Sequence, residues 1–137
     1  MIVMKELIRE AIKAQSFSYS PYSHFHVGAA LLTKQGKIYT GCNIENASYT
    51  PTCCAERTAF SKAVSEGERE FQAIAIVGSL NGSEDREYCA PCGVCRQVMA
   101  EFCDLEEFRI VVAKNEDDYQ VYKLTELLPL AFTGEML

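Results

Sequence analysis

Residues 51–57 read Pro-Thr-Cys-Cys-Ala-Glu-Arg, and residues 91–95 read Pro-Cys-Gly-Val-Cys. The first stretch supplies a thiol at Cys54 and, two residues later, a carboxylate at Glu56. The second stretch supplies two thiols at the Cys-x-x-Cys spacing that lets a pair chelate one metal ion. Each stretch opens with a proline and runs into a helical pattern, and proline is favoured at the first helical position. We therefore predict two helix N-termini that face each other across one shared metal ion.

Length and composition indicate one globular domain. The chain has 137 residues, of which 48% are hydrophobic and 23% are charged, as is typical of a folded protein with one hydrophobic core. We therefore expect a single domain over residues 1–137. No stretch approaches the ~20 apolar residues that span a bilayer. Residues 1–6 lack the basic-then-apolar pattern of a signal peptide, so we expect no membrane partner.

The cysteine count indicates the cellular location of the protein, and the net charge indicates the class of ligand that it binds. Seven is an odd number of cysteines, and without an export signal it favours reduced thiols or metal ligands over disulfides. The expected location is the cytoplasm. The net charge is −6 with no cluster of Lys and Arg, whereas proteins that bind polynucleotides normally carry a basic surface that neutralises phosphates. We therefore expect a small-molecule ligand and no polynucleotide.

Hydrophobic periodicity predicts an α/β fold. In chain order, the pattern predicts a helix from residue 4, strands at 27–32 and 37–43, a helix at 51–66, a strand at 71–78, a helix at 91–102, strands at 108–113 and 119–123, and a short helix at 124–128. Strand 71–78 is nearly all apolar, so we expect it at the centre of the sheet. Residues 114–118 are too few for a parallel crossover, so the last two strands should pair antiparallel. The expected fold is an α/β sandwich with a mixed five-stranded sheet.

Three finer expectations concern helix packing and one loop. A ridge of small residues on the second helix, which should pack closely on the sheet, consists of Ala55, Ala59 and Ala63. The buried row of the third helix should consist of Val94, Val98 and Phe102. Residues 80–88 are mostly polar and are expected to form an exposed loop.

The three cysteines of the opening stretches suggest a zinc site. Soft ligands of the kind that zinc prefers come from Cys54, Cys92 and Cys95. Three protein ligands with an open fourth position are typical of catalytic zinc, whereas four closed ligands are typical of structural zinc. Cys53 and Cys89 are near enough in sequence to supply a fourth thiolate, so a structural four-thiolate site is the main alternative. Glu56 favours catalysis, because a carboxylate on the same first helical turn can reach a water at the open position.

Three thiolates create an electrostatic problem for such a site. They leave a formal charge of about −1 on divalent zinc, which weakens the ability of the metal to acidify water. Helix N-termini present partial positive charge, and Arg57 can donate hydrogen bonds to ligand sulfurs. From the residues alone, a solvated helix position is an equally good interpretation of Arg57.

The other cysteines and the two histidines have simpler interpretations. A thioredoxin-like redox pair needs neither a distant third cysteine nor a glutamate, so the presence of Cys54 and Glu56 disfavours this interpretation of Cys92 and Cys95. Small buried hydrophobic side chains are the simplest interpretation of Cys42, Cys53, Cys89 and Cys103. His24 and His26 flank a predicted strand and are expected to be structural rather than metal ligands.

A Cys-x-Glu followed by Pro-Cys-x-x-Cys resembles the zinc-dependent nucleobase and nucleoside deaminases. Residues 20–30 look like the N-terminal motif of the small cytidine deaminases, residues 41–48 are similar to their ribose-binding strand end, and residues 127–132 resemble their C-terminal motif. The motifs stand in the right order and cover nearly the whole chain. The resemblance implies a three-layer α-β-α sandwich of the cytidine deaminase type and a homotetramer.

The resemblance also implies an activity. The family hydrolyses cytidine and 2′-deoxycytidine to uridine and 2′-deoxyuridine with release of ammonia, a reaction of pyrimidine salvage. One Zn²⁺ per subunit would be held by Cys54, Cys92 and Cys95 and would activate water, and Glu56 would shuttle the proton. Two alternatives are a deaminase of a related small nucleoside-like compound and a non-catalytic, zinc-stabilised binding module.

The substrate contacts come partly from the residues and partly from the resemblance. Asn43 and Glu45 are two apart at a strand end, so in an extended chain they point to one face. An amide and a carboxylate suit a ribose hydroxyl, although a polar turn is the simpler interpretation of these two residues alone. The resemblance implies that they contact ribose, that Phe25 packs on the pyrimidine, and that the Ala55 backbone contacts the base edge. It also implies that Phe132 closes the pocket of a neighbouring subunit.

Overall fold

The computed structural model describes residues 4–137. Residues 1–3, which belong to the predicted domain and to the segment compared with a signal peptide, lie outside the described residues. In chain order the elements are α1 (Met4–Gln15), β1 (Phe25–Thr33), β2 (Ile38–Cys42), α2 (Ala55–Ser65), β3 (Phe71–Leu80), α3 (Gly93–Phe102), β4 (Arg109–Asn115), β5 (Asp118–Lys123), α4 (Leu124–Leu127) and a 3₁₀ turn (Gly134–Met136). Within residues 4–137, no helix combines the length and the apolar character that a membrane crossing requires.

The strands form one mixed sheet with the order β2-β1-β3-β4-β5. The apolar strand β3 is central, as its composition predicts. It pairs antiparallel with β1 and parallel with β4, and α3 provides the crossover between β3 and β4. Strands β4 and β5 pair antiparallel, which confirms the prediction from their short connection.

The helices cover both faces of this sheet. Because side chains alternate along a strand, Ala29 and Leu31 of β1 pack in the core beneath α2 and α3. Ala30 and Leu32 point to the other face and pack against the buried stripe of α1. The molecule is therefore the predicted three-layer α-β-α sandwich. The N-termini of α2 and α3 lie on the same face, which brings their first residues together.

A close approach between α2 and β2 sets the position of the second helix. A Cβ atom on Gly41 would lie 2.4 Å from the Ala55 carbonyl oxygen and 2.5 Å from the Ala59 nitrogen, so only glycine fits there. The small-residue ridge of α2 is fully buried against the sheet, as predicted. The start of α2 is therefore held directly over the end of β2.

Both helices begin later than their prolines predict. The first helical residues are Ala55 and Gly93 rather than Pro51 and Pro91, and the N-cap positions are taken by Cys54 and Cys92. The reason in α2 is a local bridge: the backbone of residue 53 exchanges two hydrogen bonds of 2.9 Å with residue 44. This pairing keeps the chain extended up to the N-cap, so the prediction of proline at the first helical position was wrong.

The buried face of α3 also differs from the prediction. Val94 is 58% exposed, and the buried residues are Cys95, Met99 and Ala100. Cys95 faces inward, and on a helix the position four residues later shares its face. Met99 therefore enters the core, while Val94 turns to solvent. Val98 and Phe102 are partly buried and pack against the same core.

The sequence predicts that residues 80–88 form an exposed loop, but part of this segment is buried. Leu80 belongs to β3, and Arg86 is only 9% exposed. The Arg86 guanidinium donates to the Gln15 side-chain oxygen at 2.9 Å and to the Lys114 carbonyl at 3.3 Å. The polar composition of this segment did not reveal the buried arginine, because a guanidinium can be buried when it finds hydrogen-bond acceptors.

Candidate active site

Three cysteine sulfurs converge where α2 and α3 begin. The distance between the sulfurs of Cys54 and Cys92 is 3.8 Å, and that between the sulfurs of Cys92 and Cys95 is 3.3 Å. All three sulfurs lie within 4.8 Å of one another. A tetrahedral zinc ion with Zn–S bonds of about 2.3 Å holds its sulfur ligands about 3.8 Å apart. The residues therefore fit a zinc ion.

The ligand group in the described part of the chain, residues 4–137, contains no fourth thiolate. Neither Cys53 nor Cys89 belongs to the cluster of possible metal ligands, and His24 and His26 are also outside it. Three ligands with an open position correspond to the catalytic rather than the structural type of zinc site. The four-thiolate alternative therefore does not match this geometry.

The sulfur cluster is adapted to negative charge. A hydrogen bond from the Cys95 thiol and another from the Arg57 guanidinium lower the pKa of Cys54 to about 5. The Arg57 donor nitrogen Nη2 lies 3.4 Å from the Cys54 sulfur. The Arg57 Nε atom is buried and has no hydrogen-bond partner among residues 4–137. The Arg57 side chain thus points at the Cys54 sulfur, and the alternative interpretation of Arg57 as a solvated helix residue is wrong.

Glu56 is buried beside the sulfurs. It occupies the first turn of α2 and is 4% exposed. Burial raises the pKa of its carboxyl group to about 7. A carboxyl group with a pKa near the working pH can both accept and return a proton, which is what a proton shuttle requires.

A cavity of about 380 Å³ opens onto Glu56, Cys54 and Cys92. Its size falls within the range of about 300–1,000 Å³ that is common for small-molecule sites. Four of the predicted substrate residues line it, namely Phe25, Asn43, Glu45 and Ala55. Phe132 does not line it and is 56% exposed. The structure thus brings together every predicted site residue except Phe132, which the resemblance assigns to a neighbouring subunit.

Asn43 and Glu45 reach the cavity from the same side of the chain, as their spacing predicts. Asn43 donates to the Phe25 carbonyl at 2.8 Å and accepts from the Val27 backbone at 2.9 Å. Glu45 accepts hydrogen bonds from the loop before β1, and these lower the pKa of its carboxyl group. Both residues therefore hold the cavity wall in addition to facing the cavity.

The cavity residues that the sequence reasoning missed include Cys53 and Cys89, which it interpreted as small buried hydrophobic side chains or as a possible fourth thiolate. Both are only partly buried and line the cavity. Burial raises the pKa of Cys89 to about 11, so this wall is a neutral thiol. A Cβ on Gly78 would lie 2.9 Å from the Phe25 ring and 3.0 Å from the Cys89 sulfur. A glycine in an otherwise apolar strand was the available signal, since it often marks a close approach.

Comparison with known proteins agrees with this site. The family described as "Cytidine and deoxycytidylate deaminase zinc-binding region" matches residues 1–112. A cytidine deaminase of Sporosarcina psychrophila is 48% identical over 134 residues, which are 98% of this chain and 94% of that protein. One from Halalkalibacterium halodurans is 50% identical over 129 residues, which are 94% and 93% of the two chains.

The fold comparison gives the same result. The crystal structure of cytidine deaminase from Burkholderia pseudomallei superposes with a TM-score of 0.85 and 45% identity, covering 96% of this chain and 100% of that one. Fold, sulfur cluster and sequence relatives all lead to one classification: the chain belongs to the cytidine and deoxycytidylate deaminase family.

Proposed function

We propose that this protein hydrolyses cytidine and 2′-deoxycytidine to uridine and 2′-deoxyuridine with release of ammonia. The observation that carries the proposal is the buried Glu56 carboxyl group beside the three-cysteine cluster in one cavity. The two sequence relatives and the solved structure described above are named cytidine deaminases, and this supports the nucleoside as substrate. The net charge of −6 supports free nucleosides over polynucleotides.

The chemistry divides between the metal and the protein. Zinc held by Cys54, Cys92 and Cys95 would supply the Lewis acid that activates water. Glu56 accepts a proton from the attacking water and delivers it to the ring nitrogen beside the amine-bearing carbon. It then carries the second water proton to the departing amine, so the C–N bond breaks and ammonia leaves. The water oxygen remains on the ring as the carbonyl oxygen of the product.

The other residues of the site bind the substrate or support the sulfur cluster. Phe25 packs on the pyrimidine face, and the Ala55 backbone contacts the base edge. Asn43 and Glu45 bind the ribose hydroxyls, and Arg57 donates to the Cys54 sulfur. The proposal includes a single domain over residues 1–137 with one zinc ion per subunit. It also includes a cytoplasmic homotetramer that acts in pyrimidine salvage, with each site closed by Phe132 of a neighbouring subunit.

A side-by-side assay tests the activity. Zinc-loaded protein should convert cytidine and 2′-deoxycytidine, measured by the loss of cytidine absorbance, and should leave a cytosine-containing single-stranded oligonucleotide unchanged. Glu56→Gln keeps the size of the side chain but removes its acid–base function, so kcat should fall by about 10³-fold. The proposal fails if the zinc-loaded protein leaves both nucleosides unchanged, or if Glu56→Gln performs as well as the unmodified protein.

A further inference from the structure

The carboxylate of Glu45 is held by two successive residues of the loop between α1 and β1. The backbone nitrogens of Tyr22 and Ser23 donate to its Oε1 at 3.0 and 3.1 Å. The Ser23 hydroxyl donates to the other oxygen, Oε2. Three donors therefore fix the orientation of a carboxylate that would otherwise be free to rotate at the cavity edge.

This arrangement leaves room for a ligand. A carboxylate has about four acceptor positions on its two oxygens, and the loop occupies three of them. Ser23 and Glu45 both line the cavity that contains Glu56. They also line an adjoining cavity of about 370 Å³, whose outer wall includes Tyr22 and Tyr49. Glu45 therefore keeps one acceptor position free and contributes to the lining of both cavities.

The loop is shaped to put Ser23 in this position. His24, the next residue, has φ 60°, a left-handed conformation that is uncommon for residues other than glycine. Its carbonyl accepts a hydrogen bond of 2.6 Å from the Asn81 backbone, which stabilises the strained turn. Such strain persists only where the surrounding structure holds it, and here the bond between His24 and Asn81 holds the loop next to Ser23.

The hydroxyl of Ser23 also accepts a hydrogen bond of 3.0 Å from the Phe25 backbone nitrogen. Phe25 does not depend on this bond alone. Its carbonyl accepts from Asn43 at 2.8 Å, and it pairs with Leu80 in the β1–β3 ladder. Loss of the hydroxyl therefore affects the carboxylate of Glu45 far more than the ring of Phe25.

We propose that Ser23 is a positioning residue that presents Glu45 to the 2′- or 3′-hydroxyl of the sugar and thereby makes the enzyme select nucleosides that carry at least one of these two hydroxyls. This inference rests on the proposed function. It predicts a split between substrates, because only a substrate with a 2′- or 3′-hydroxyl uses the oriented carboxylate.

The test compares cytidine with 2′,3′-dideoxycytidine in zinc-loaded enzyme. Ser23→Ala should raise the KM for cytidine by about tenfold, the factor expected for losing roughly 1.4 kcal/mol of binding. The kcat for cytidine should change by less than about twofold, because a contact made equally in the ground state and the transition state affects KM alone. The kcat/KM for 2′,3′-dideoxycytidine should also change by less than about twofold, because this substrate lacks the hydroxyl that makes the contact. Ser23→Thr keeps the hydroxyl at an exposed position and should restore the KM. Ser65→Ala, another exposed serine whose hydroxyl is hydrogen-bonded, is the matched control.

Binding provides a readout that does not require turnover. Calorimetry should show weaker binding of uridine to Ser23→Ala, with binding of 2′,3′-dideoxyuridine unchanged. Ser23 has a merely structural role, and the inference is overturned, if in Ser23→Ala kcat/KM falls equally for cytidine and 2′,3′-dideoxycytidine or if affinity falls equally for uridine and 2′,3′-dideoxyuridine. An unchanged KM for cytidine would also overturn it. If the unmodified enzyme deaminates no nucleoside, the proposed function fails, and the uridine pair still tests the role of Ser23.

Discussion

Cys53 and Cys54 are adjacent in sequence, but their sulfurs have different neighbours. The Cys54 sulfur lies against Cys92 and accepts a hydrogen bond from Arg57. The Cys53 sulfur accepts a hydrogen bond of 3.4 Å from the Thr58 hydroxyl. Side chains alternate in an extended chain, and residue 53 is extended by its bridge to Ile44. One sulfur therefore faces the cluster and the other does not.

Replacement of these two cysteines should have unequal effects on metal binding. Cys54→Ser removes a ligand and should weaken zinc binding by more than about 100-fold, beyond the range seen when a supporting residue is lost. Cys53→Ser should retain stoichiometric zinc. Zinc content per chain after dialysis, together with the thermal midpoint, measures the difference. Equal zinc loss in both variants would instead indicate a four-thiolate structural site.

Residue identities in the site were predictable where chemistry depends on short spacing. The Cys-x-Glu and Cys-x-x-Cys patterns indicated three sulfurs and Glu56, which the structure brings together. The same patterns left the orientation of Arg57 undecided, because a helix residue can face either a neighbour or solvent. The contact between Ser23 and Glu45 was missed, since the two residues are 22 positions apart and no local periodicity links them.

At the scale of elements, the position of α2 depends on one glycine. Gly41→Ala would place a methyl group 2.4 Å from the Ala55 carbonyl and 2.5 Å from the Ala59 nitrogen. Backbone cannot yield as a flexible side chain does, so α2 must shift, at a cost of about 1–3 kcal/mol of unfolding free energy. Because Cys54 and Glu56 are at the start of α2, zinc affinity and kcat should fall together.

Denaturant unfolding, zinc content and the cytidine assay measure this effect. Gly134→Ala is the matched control, because a Cβ there meets nothing within 4 Å. It should leave all three quantities unchanged. Unaltered stability and zinc content in Gly41→Ala would contradict the close packing between α2 and β2.

Element types and pairing could be predicted, but helix starts could not. Apolar periodicity identified the strands and the central place of β3, and connection length identified the antiparallel pairing of β4 and β5. The start of α2 depends on the bridge between residues 44 and 53, which is a tertiary contact. The buried face of α3 includes Cys95, a residue of the sulfur cluster. This face differs from the predicted one, which began with Val94.

At the scale of the whole molecule, the described surface carries large apolar side chains. They include Phe17, Tyr49, Leu130 and Phe132. Association with another chain would remove such apolar side chains from water. They support the proposed homotetramer, which should elute in gel filtration at about four times the 15.3 kDa chain mass.

The proposed exchange of Phe132 between subunits can be tested by complementation. Glu56→Gln chains lack the proton shuttle but carry Phe132. Phe132→Ala chains keep Glu56 but should lose at least about tenfold in kcat/KM, since burial of a phenylalanine contributes about 1.5–3 kcal/mol.

Coexpression of the two variants should produce hybrid tetramers that regain activity. Half of the sites then have Glu56, and about half of these receive Phe132 from a Glu56→Gln neighbour. The purified mixture should therefore reach about a quarter of the unmodified activity per chain, well above the average of the separately purified variants. Activity equal to that average would mean that each chain completes its own site, and Phe132 would then have no role in a neighbouring pocket.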